Sequence, residues 1–225
     1  MRIYLLIIWS AMVMIGCSKK EISVPEMSIL GQGQFVDTRD GNTYGWVRIG
    51  DLEWMTENYR YASAGALHYI ESSTVTESEV EDFVKTYGRL YNMESAKGAL
   101  PKDGGWRIPT DEDWQHLERN IGLSADESSQ TGWRGAELGT LLRDKKSPFH
   151  LDLGGMRGTR SADYAFKDIY GFYWSSTRDQ LKYNDFDNYI MRQISLYSPN
   201  VLRESIISTK FLSLRLVRDV KSGGQ

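Results

Sequence analysis

The sequence predicts an α+β domain in which two short helices accompany small, mostly antiparallel sheets joined by long loops. Three observations predict it. Aromatic residues make up 12% of the 225 residues and are spread over Trp, Tyr and Phe, with 21 Gly and only 5 Pro, a composition that suits strands and loops. The stretch Gly104-Gly105-Trp106-Arg107-Ile108-Pro109-Thr110-Asp111-Glu112-Asp113-Trp114 runs from an extended segment through a proline into a helix start. The second half carries successive extended runs separated by turn residues. A hydrophobic content of 40% is enough for one sizeable core.

The first residues read as a leader. Arg2 precedes the apolar run Ile3 to Ile15, which is too short to span a membrane and is broken only by Ser10. Met14-Ile15-Gly16-Cys17 resembles the lipobox of bacterial lipoproteins, in which the cysteine becomes the diacylated first residue. Cys17 is the only cysteine, as expected for a thiol consumed by lipid attachment. The expected organisation is a leader over 1–16, a tether over 17–33, a domain over 34–219 and a tail over 220–225. Acylated Cys17 would hold an otherwise water-facing body at a membrane, since two or more acyl chains anchor stably. The mature chain would carry 26 basic and 30 acidic residues. No face-sized block of Lys and Arg is available for phosphates, which argues against a nucleic-acid partner.

Within the domain, Phe35 to Thr38 and Thr43 to Ile49 flank the turn Arg39-Asp40-Gly41-Asn42, and Leu52 to Met55 returns after Gly50-Asp51. These are three strands of a meander. Residues 61–85 weaken into Ala, Gly, Ser and Thr with an acidic group, and read as a long surface excursion of the kind that often carries function. A short helix is expected near Met93. The main helix starts at Thr110, an N-cap three residues before Asp113, with Pro109 placed to staple onto Trp114; Trp114, Leu117, Glu118 and Ile121 share a face and Gly122 stops it. Another helix is expected from Trp133 or Gly135 to Arg143. Leu151 to Arg157 is glycine-rich and suits a close approach of two backbones. Tyr170 to Ser176, Asn188 to Leu196, Val201 to Ile207 and Phe211 to Arg218 are expected strands.

Seven motifs in register resemble the Fibrobacter succinogenes major paralogous domain, a family of exported proteins common in Bacteroidetes-type bacteria. They are Asp40-Gly41-Asn42-Thr43-Tyr44; Ile49-Gly50 through Trp54-Met55-Thr56-Glu57-Asn58; Gly88-Arg89-Leu90-Tyr91-Asn92; Gly105 through Trp114; Leu153-Gly154-Gly155-Met156-Arg157; Trp174-Ser175-Ser176; and Leu214-Arg215-Leu216-Val217. The resemblance implies a C-type-lectin-like fold, shared with the formylglycine-generating enzymes, whose Arg-Leu-Pro-Thr-Glu-x-Glu-Trp motif is similar to Arg107 through Trp114. It also implies an outer-membrane location and structural roles for Trp54, Trp106, Pro109, Thr110, Trp114, Trp174 and Arg215. Many members carry cysteines where this chain has Leu100 and Leu216, so those two leucines are expected to lie near each other.

The chemistry points to recognition. His68, His116 and His150 lack metal-ligand spacing, and the cysteine pair of formylglycine-generating enzymes is missing. No cofactor is implied, and no catalytic residue is expected. Aromatics beside Asn and Asp make a candidate glycan platform from Tyr183, Asp185, Asp187, Tyr189 and Tyr197. The oxygen-rich group Asn184, Asp185, Asp187 and Asn188 lacks the turn glycine of a calcium loop. The expected role is non-catalytic recognition of glycan or an envelope protein. The alternatives are an enzyme of the formylglycine-generating type with a degenerate site, and a structural accessory of an outer-membrane assembly.

Overall fold

The computed structural model describes residues 27–69, 76–159, 164–183 and 185–220. The leader, Cys17, the first part of the tether and Asn184 lie outside them. Among the described residues the architecture is α+β, with twelve strands in two mostly antiparallel sheets and five helices, against the two of the expected fold class and the three placed along the chain.

The first sheet is the expected meander. Strands β1 (Gly31–Val36), β2 (Thr43–Ile49) and β3 (Leu52–Met55) pair antiparallel in sequence. Strand β12 (Val217–Asp219) closes the sheet on β3, pairing Val217 with Trp54 and so joining the first and last described strands in one sheet. The expected tether is too long at its far end. Met27 and Ile29 pack against the core, and β1 begins at Gly31. The glycines that suggested a loop are strand residues paired with Arg48 and Trp46 of β2, and Gly33 leaves room for the Trp46 ring, which would stand 2.5 Å from an added Cβ.

Residues 61–85 are not all loop. Helix α1 (Glu77–Tyr87) occupies their second half, started by a capping box in which Thr76 Oγ1 accepts from Glu79 N and Glu79 Oε2 accepts from Thr76 N. Strand β4 (Leu90–Tyr91) leads into α2 (Met93–Ala99), the helix expected near Met93, which buries Met93, Ala96 and Ala99 in a cluster with Leu216. Leu100 packs against that same cluster. Helix α3 (Asp111–Asn120) has the expected cap: Thr110 Oγ1 accepts from Asp113 N at 3.1 Å and Asp113 Oδ2 accepts from Thr110 N at 2.6 Å. Trp114, Leu117, Glu118 and Ile121 are all buried, as their shared face requires.

Helix α4 (Ala125–Ser129) was not expected, and α5 (Leu138–Arg143) begins later than Trp133 or Gly135. Residues Gly132–Arg134 form strand β5 instead, and left-handed backbone at Gly135 and Glu137 delays the helix. The remaining strands are β6 (Gly154–Arg157), β7 (Tyr164–Lys167), β8 (Tyr170–Tyr183), β9 (Phe186–Ser195), β10 (Ser198–Ile207) and β11 (Leu212–Ser213). They build the second sheet in the order β4-β11-β8-β9-β10-β5, with β6 beside β8 and β7 beside β6. At Gly155, φ is +68° and an added Cβ would lie 2.5 Å from the Ala165 carbonyl, so the glycine-rich run does bring two backbones together.

Two apolar clusters fill the interior. Trp54, Trp106, Trp114 and Trp174 are all buried, with Trp54 and Trp114 rings 4.8 Å apart and Trp174 Nε1 donating to the Tyr91 carbonyl at 2.7 Å. Pro109 is buried beside Thr110, and its carbonyl accepts from Ser176 N at 2.7 Å. Arg215 is fully buried, donating to Asn58 Oδ1 at 2.7 Å under the rings of Phe149 and Tyr173. Among the described residues no helix is long and apolar enough to cross a membrane.

Candidate functional site

The five residues of the expected platform do not share one surface. Tyr183 pairs with Phe186 across the turn that joins β8 to β9, and Asp187 binds Arg178 at 3.0 Å nearby. Asp185 is exposed in that turn. Tyr197 is 77% exposed, but it lies in the turn between β9 and β10, at the opposite end of a ten-residue strand and so about 30 Å away. Tyr189 is 2% exposed and therefore offers no ring face to a ligand. Its ring packs edge-on against Trp174, and its hydroxyl accepts from Lys97 Nζ at 3.1 Å and Arg178 Nε at 3.2 Å. Burial would raise the Tyr189 phenol, but Arg178 and Lys97 outweigh it and draw it below its ordinary value. The reason is the place of β9 in the sheet: it lies between β8 and β10, and the four consecutive residues Tyr189, Ile190, Met191 and Arg192 are all buried, so neither face of the strand is open here. Among the described residues no group of three His, Cys, Asp or Glu is arranged for a metal ion.

A different aromatic surface stands where the long excursion meets the second sheet. On α1, Val80, Phe83, Val84 and Tyr87 follow the i, i+3, i+4, i+7 stripe of an amphipathic helix. Yet α1 buries none of its residues. Phe83 stacks on Tyr87 with ring centroids 4.9 Å apart and on Tyr69 at 5.7 Å, both nearly parallel. Tyr69 then meets Tyr164 of β7 at 5.2 Å. Beside these rings runs a groove of about 350 Å³ lined by Tyr69, Glu79, Asp82, Phe83, Thr86, Tyr87 and Lys167. On the other side of α1 lies a second groove of about 380 Å³, containing Val80, Val84, Asn42, Arg60 and Arg89.

The polar groups of the aromatic groove are fixed by local chemistry. Glu79 is held below its ordinary carboxylate value by the hydrogen bonds of Thr76, so it remains an acceptor at neutral pH. Tyr87 donates its hydroxyl to Asp168. The backbone of that wall is unusual: Phe166 and Asp168 have φ of +72° and +63°, two of the three non-glycine residues with positive φ among the described residues. For a bulky residue such as Phe166 that conformation costs of order 1–3 kcal/mol, and such strain gathers where a fold re-aims side chains for a purpose. Here Phe166 lies within β7 and Asp168 just after it, before β8, setting Lys167 on the groove and Asp168 under Tyr87.

A second concentration of charge has the opposite character. Arg192 donates to Asp111 Oδ1 and Glu118 Oε1, both at 2.7 Å; Arg134 donates to Glu118 Oε2 at 2.5 Å; and Arg203 donates to Asp111 Oδ2 at 2.6 Å. Burial alone would raise the Asp111 carboxyl, but Arg203 and Arg192 outweigh it and hold it at about 2. Side chains of Arg192 and Glu118 are 1% exposed, so this network braces α3 against β9 and β10 and is closed to ligands.

A family model described as the Fibrobacter succinogenes major domain matches residues 47–218. The chain belongs to that family. No curated protein and no solved structure matches it. The family match begins within β2 and ends within β12, so β1, on the outer edge of the first sheet, precedes it. The family domain does contain the aromatic groove, since Tyr69 to Lys167 lie inside it. Sequence reasoning missed α1 although the signal was present: Thr76 and Glu79 form the same cap-and-acid pattern as Thr110 and Asp113, followed by the apolar stripe.

Proposed function

We propose that this member of the Fibrobacter succinogenes major domain family is a lipid-anchored protein of the bacterial outer membrane whose domain recognises a glycan without catalysis. The observation that carries the reading is the aromatic groove. Stacked rings of Tyr69, Phe83 and Tyr87 offer an apolar face, and Glu79, Asp82 and Lys167 surround it with two acceptors and a donor. A pyranose ring has the complementary pattern, with an apolar C–H face and a rim of hydroxyls that donate and accept. Open, and combining three aromatic rings with Glu79, Asp82, Thr86 and Lys167, the groove has the make-up of a surface that recognises a polar ligand. The anchor rests on Met14-Ile15-Gly16-Cys17. A C-type-lectin-like architecture is supported by the two antiparallel sheets and by the pairing of β3 with β12 near the chain ends.

The test is binding of the membrane-extracted chain in detergent to an array of plant, host and bacterial glycans. Saturable binding should weaken about tenfold in Phe83→Ala, the equivalent of about 1.4 kcal/mol, and stay unchanged in Tyr197→Ala. Binding unaffected by Phe83→Ala would move the site elsewhere. Absence of glycan binding would overturn the reading and turn the search to protein partners by crosslinking in the intact envelope. Intact mass of the same preparation reports the lipid: a diacylated Cys17 is expected, and an unmodified thiol would remove the anchor.

A further inference from the structure

The first sheet has two edges, and they are treated differently. The β12 edge is covered: Arg107 N donates to the Val217 carbonyl at 2.9 Å and Val217 N donates to the Arg107 carbonyl at 3.0 Å. Strand β1 is the other edge, and among the described residues no strand pairs with its outer side. Its sequence, Gly31-Gln32-Gly33-Gln34-Phe35-Val36, contains neither a charge nor a proline, the usual devices that stop an edge from pairing.

The hydrogen-bond phase of β1 can be read from its inner side. Asp37 N donates to the Asn42 carbonyl at 2.9 Å, and the register pairs Phe35 with Tyr44 and Gly33 with Trp46. Ladder bonds alternate along an antiparallel strand, so the odd-numbered residues of β1 turn their main-chain groups toward β2; just before the strand Leu30 N also donates inward, to the Arg48 carbonyl at 2.8 Å, so the outward phase begins at Gln32. Gln32, Gln34 and Val36 therefore direct theirs outward. The even-numbered side chains also form one exposed row, with Leu30 60% and Val36 50% exposed at its two ends and the two glutamines between.

We propose that β1 pairs antiparallel with β1 of a second copy of this chain, about a two-fold axis at Gly33. This register sets Gln32 opposite Gln34 of the second copy, with the outward main-chain groups of both in phase. It also sets Leu30 opposite Val36, apolar against apolar, and places amide against amide in the middle. Moving the axis one residue along the strand would pair Leu30 with Gln34 or Gln32 with Val36, mismatching the row; only the axis at Gly33 matches like with like. The two first sheets join into one of eight strands. An edge contact this small buries less than a standard stable interface, so the dimer is concentration-dependent.

The test uses the full chain carrying Cys17→Ser, purified in detergent, with two single-cysteine variants, Leu30→Cys and Val36→Cys. Under mild oxidation an equimolar mixture should give a covalent dimer, while each variant alone should give none, because its cysteines would lie six strand positions apart, about 20 Å. Gln34→Pro removes one outward N–H while leaving the bonds to β2 intact, and should weaken association in sedimentation at least tenfold with an unchanged circular dichroism spectrum. If Gln34→Pro fails to fold, the cysteine mixture still decides. A wild-type monomer at high concentration, a dimer indifferent to Gln34→Pro, or crosslinking of either cysteine variant alone as efficient as the mixture would each overturn the proposal.

Discussion

Helices α3 and α1 open with the same chemistry and meet opposite surroundings. Each begins with a threonine cap answered by an acid three residues later. In α3 the first turn continues inward: Asp111, Asp113, Trp114, Leu117 and Glu118 are buried, and its two inner carboxylates are gripped by arginines from three strands. In α1 the same cap starts a helix whose apolar stripe, Val80, Phe83, Val84 and Tyr87, is only half-buried and whose aromatic side borders a groove. A capping motif thus specifies where a helix starts and says nothing about what the helix is for. Tertiary contacts decide that, and they divide the molecule into a braced ionic interior and a half-buried aromatic margin beside a groove.

The sharpest way to break this comparison is to unpair the interior. Glu118→Ala leaves Arg134 and Arg192 buried without their shared partner, and removing one member of a buried pair costs about 3–5 kcal/mol. Chemical denaturation followed by circular dichroism should show that loss. A change below about 1 kcal/mol would mean the network is far more hydrated than its burial indicates.

Asp111 gives a smaller effect with a characteristic pH dependence. Its carboxyl sits at about 2 in the folded protein against 3.8 ordinarily, so its ionised form is favoured by folding. That contribution is fully present above about pH 4 and is lost as pH falls toward 2. Asp111→Asn should cost about 2 kcal/mol at neutral pH and flatten the acid limb between pH 4 and 2. An acid limb identical to wild type would show that Arg192 and Arg203 do not discriminate the charge at this position.

Much of the frame could be read from residue order because it is locally encoded. The Thr110 cap, the apolar face from Trp114 to Ile121, the Gly41 and Gly50 turns and the strand beginning at Tyr170 all depend on neighbours a few positions away. The ionic network could not be read, since its partners stand 16 to 92 positions apart. Only Glu118 on an otherwise apolar face hinted at it. The expected platform fails for a related reason: Tyr189 lies where β9 is covered on both faces by its place between β8 and β10, and Tyr183 and Tyr197 are at opposite ends of that strand. The aromatic groove needed Tyr69, Phe83 and Tyr164 to converge from three segments.

The two caps themselves provide the finest discrimination. Thr110→Ala removes the acceptor for Asp113 N at the helix that carries Asp111 and Glu118, and loss of such a cap costs about 1 kcal/mol of global stability. Thr76→Ala removes the equivalent acceptor for Glu79 N, yet α1 contributes only half-buried residues to the fold, so its opening is expected to be a local event that leaves global unfolding within about 0.5 kcal/mol of wild type. Amide hydrogen exchange separates the cases: Thr76→Ala should speed exchange along Val80 to Gly88 only, whereas Thr110→Ala should lower protection throughout the core in proportion to its global cost. If Thr76→Ala instead lowered the denaturation midpoint as much as Thr110→Ala, α1 would be part of the cooperative core and the division between interior and margin would fall. If it freed α1 alone and glycan binding weakened with it, the groove's rings would be shown to depend on a helix held in place chiefly by its own first turn.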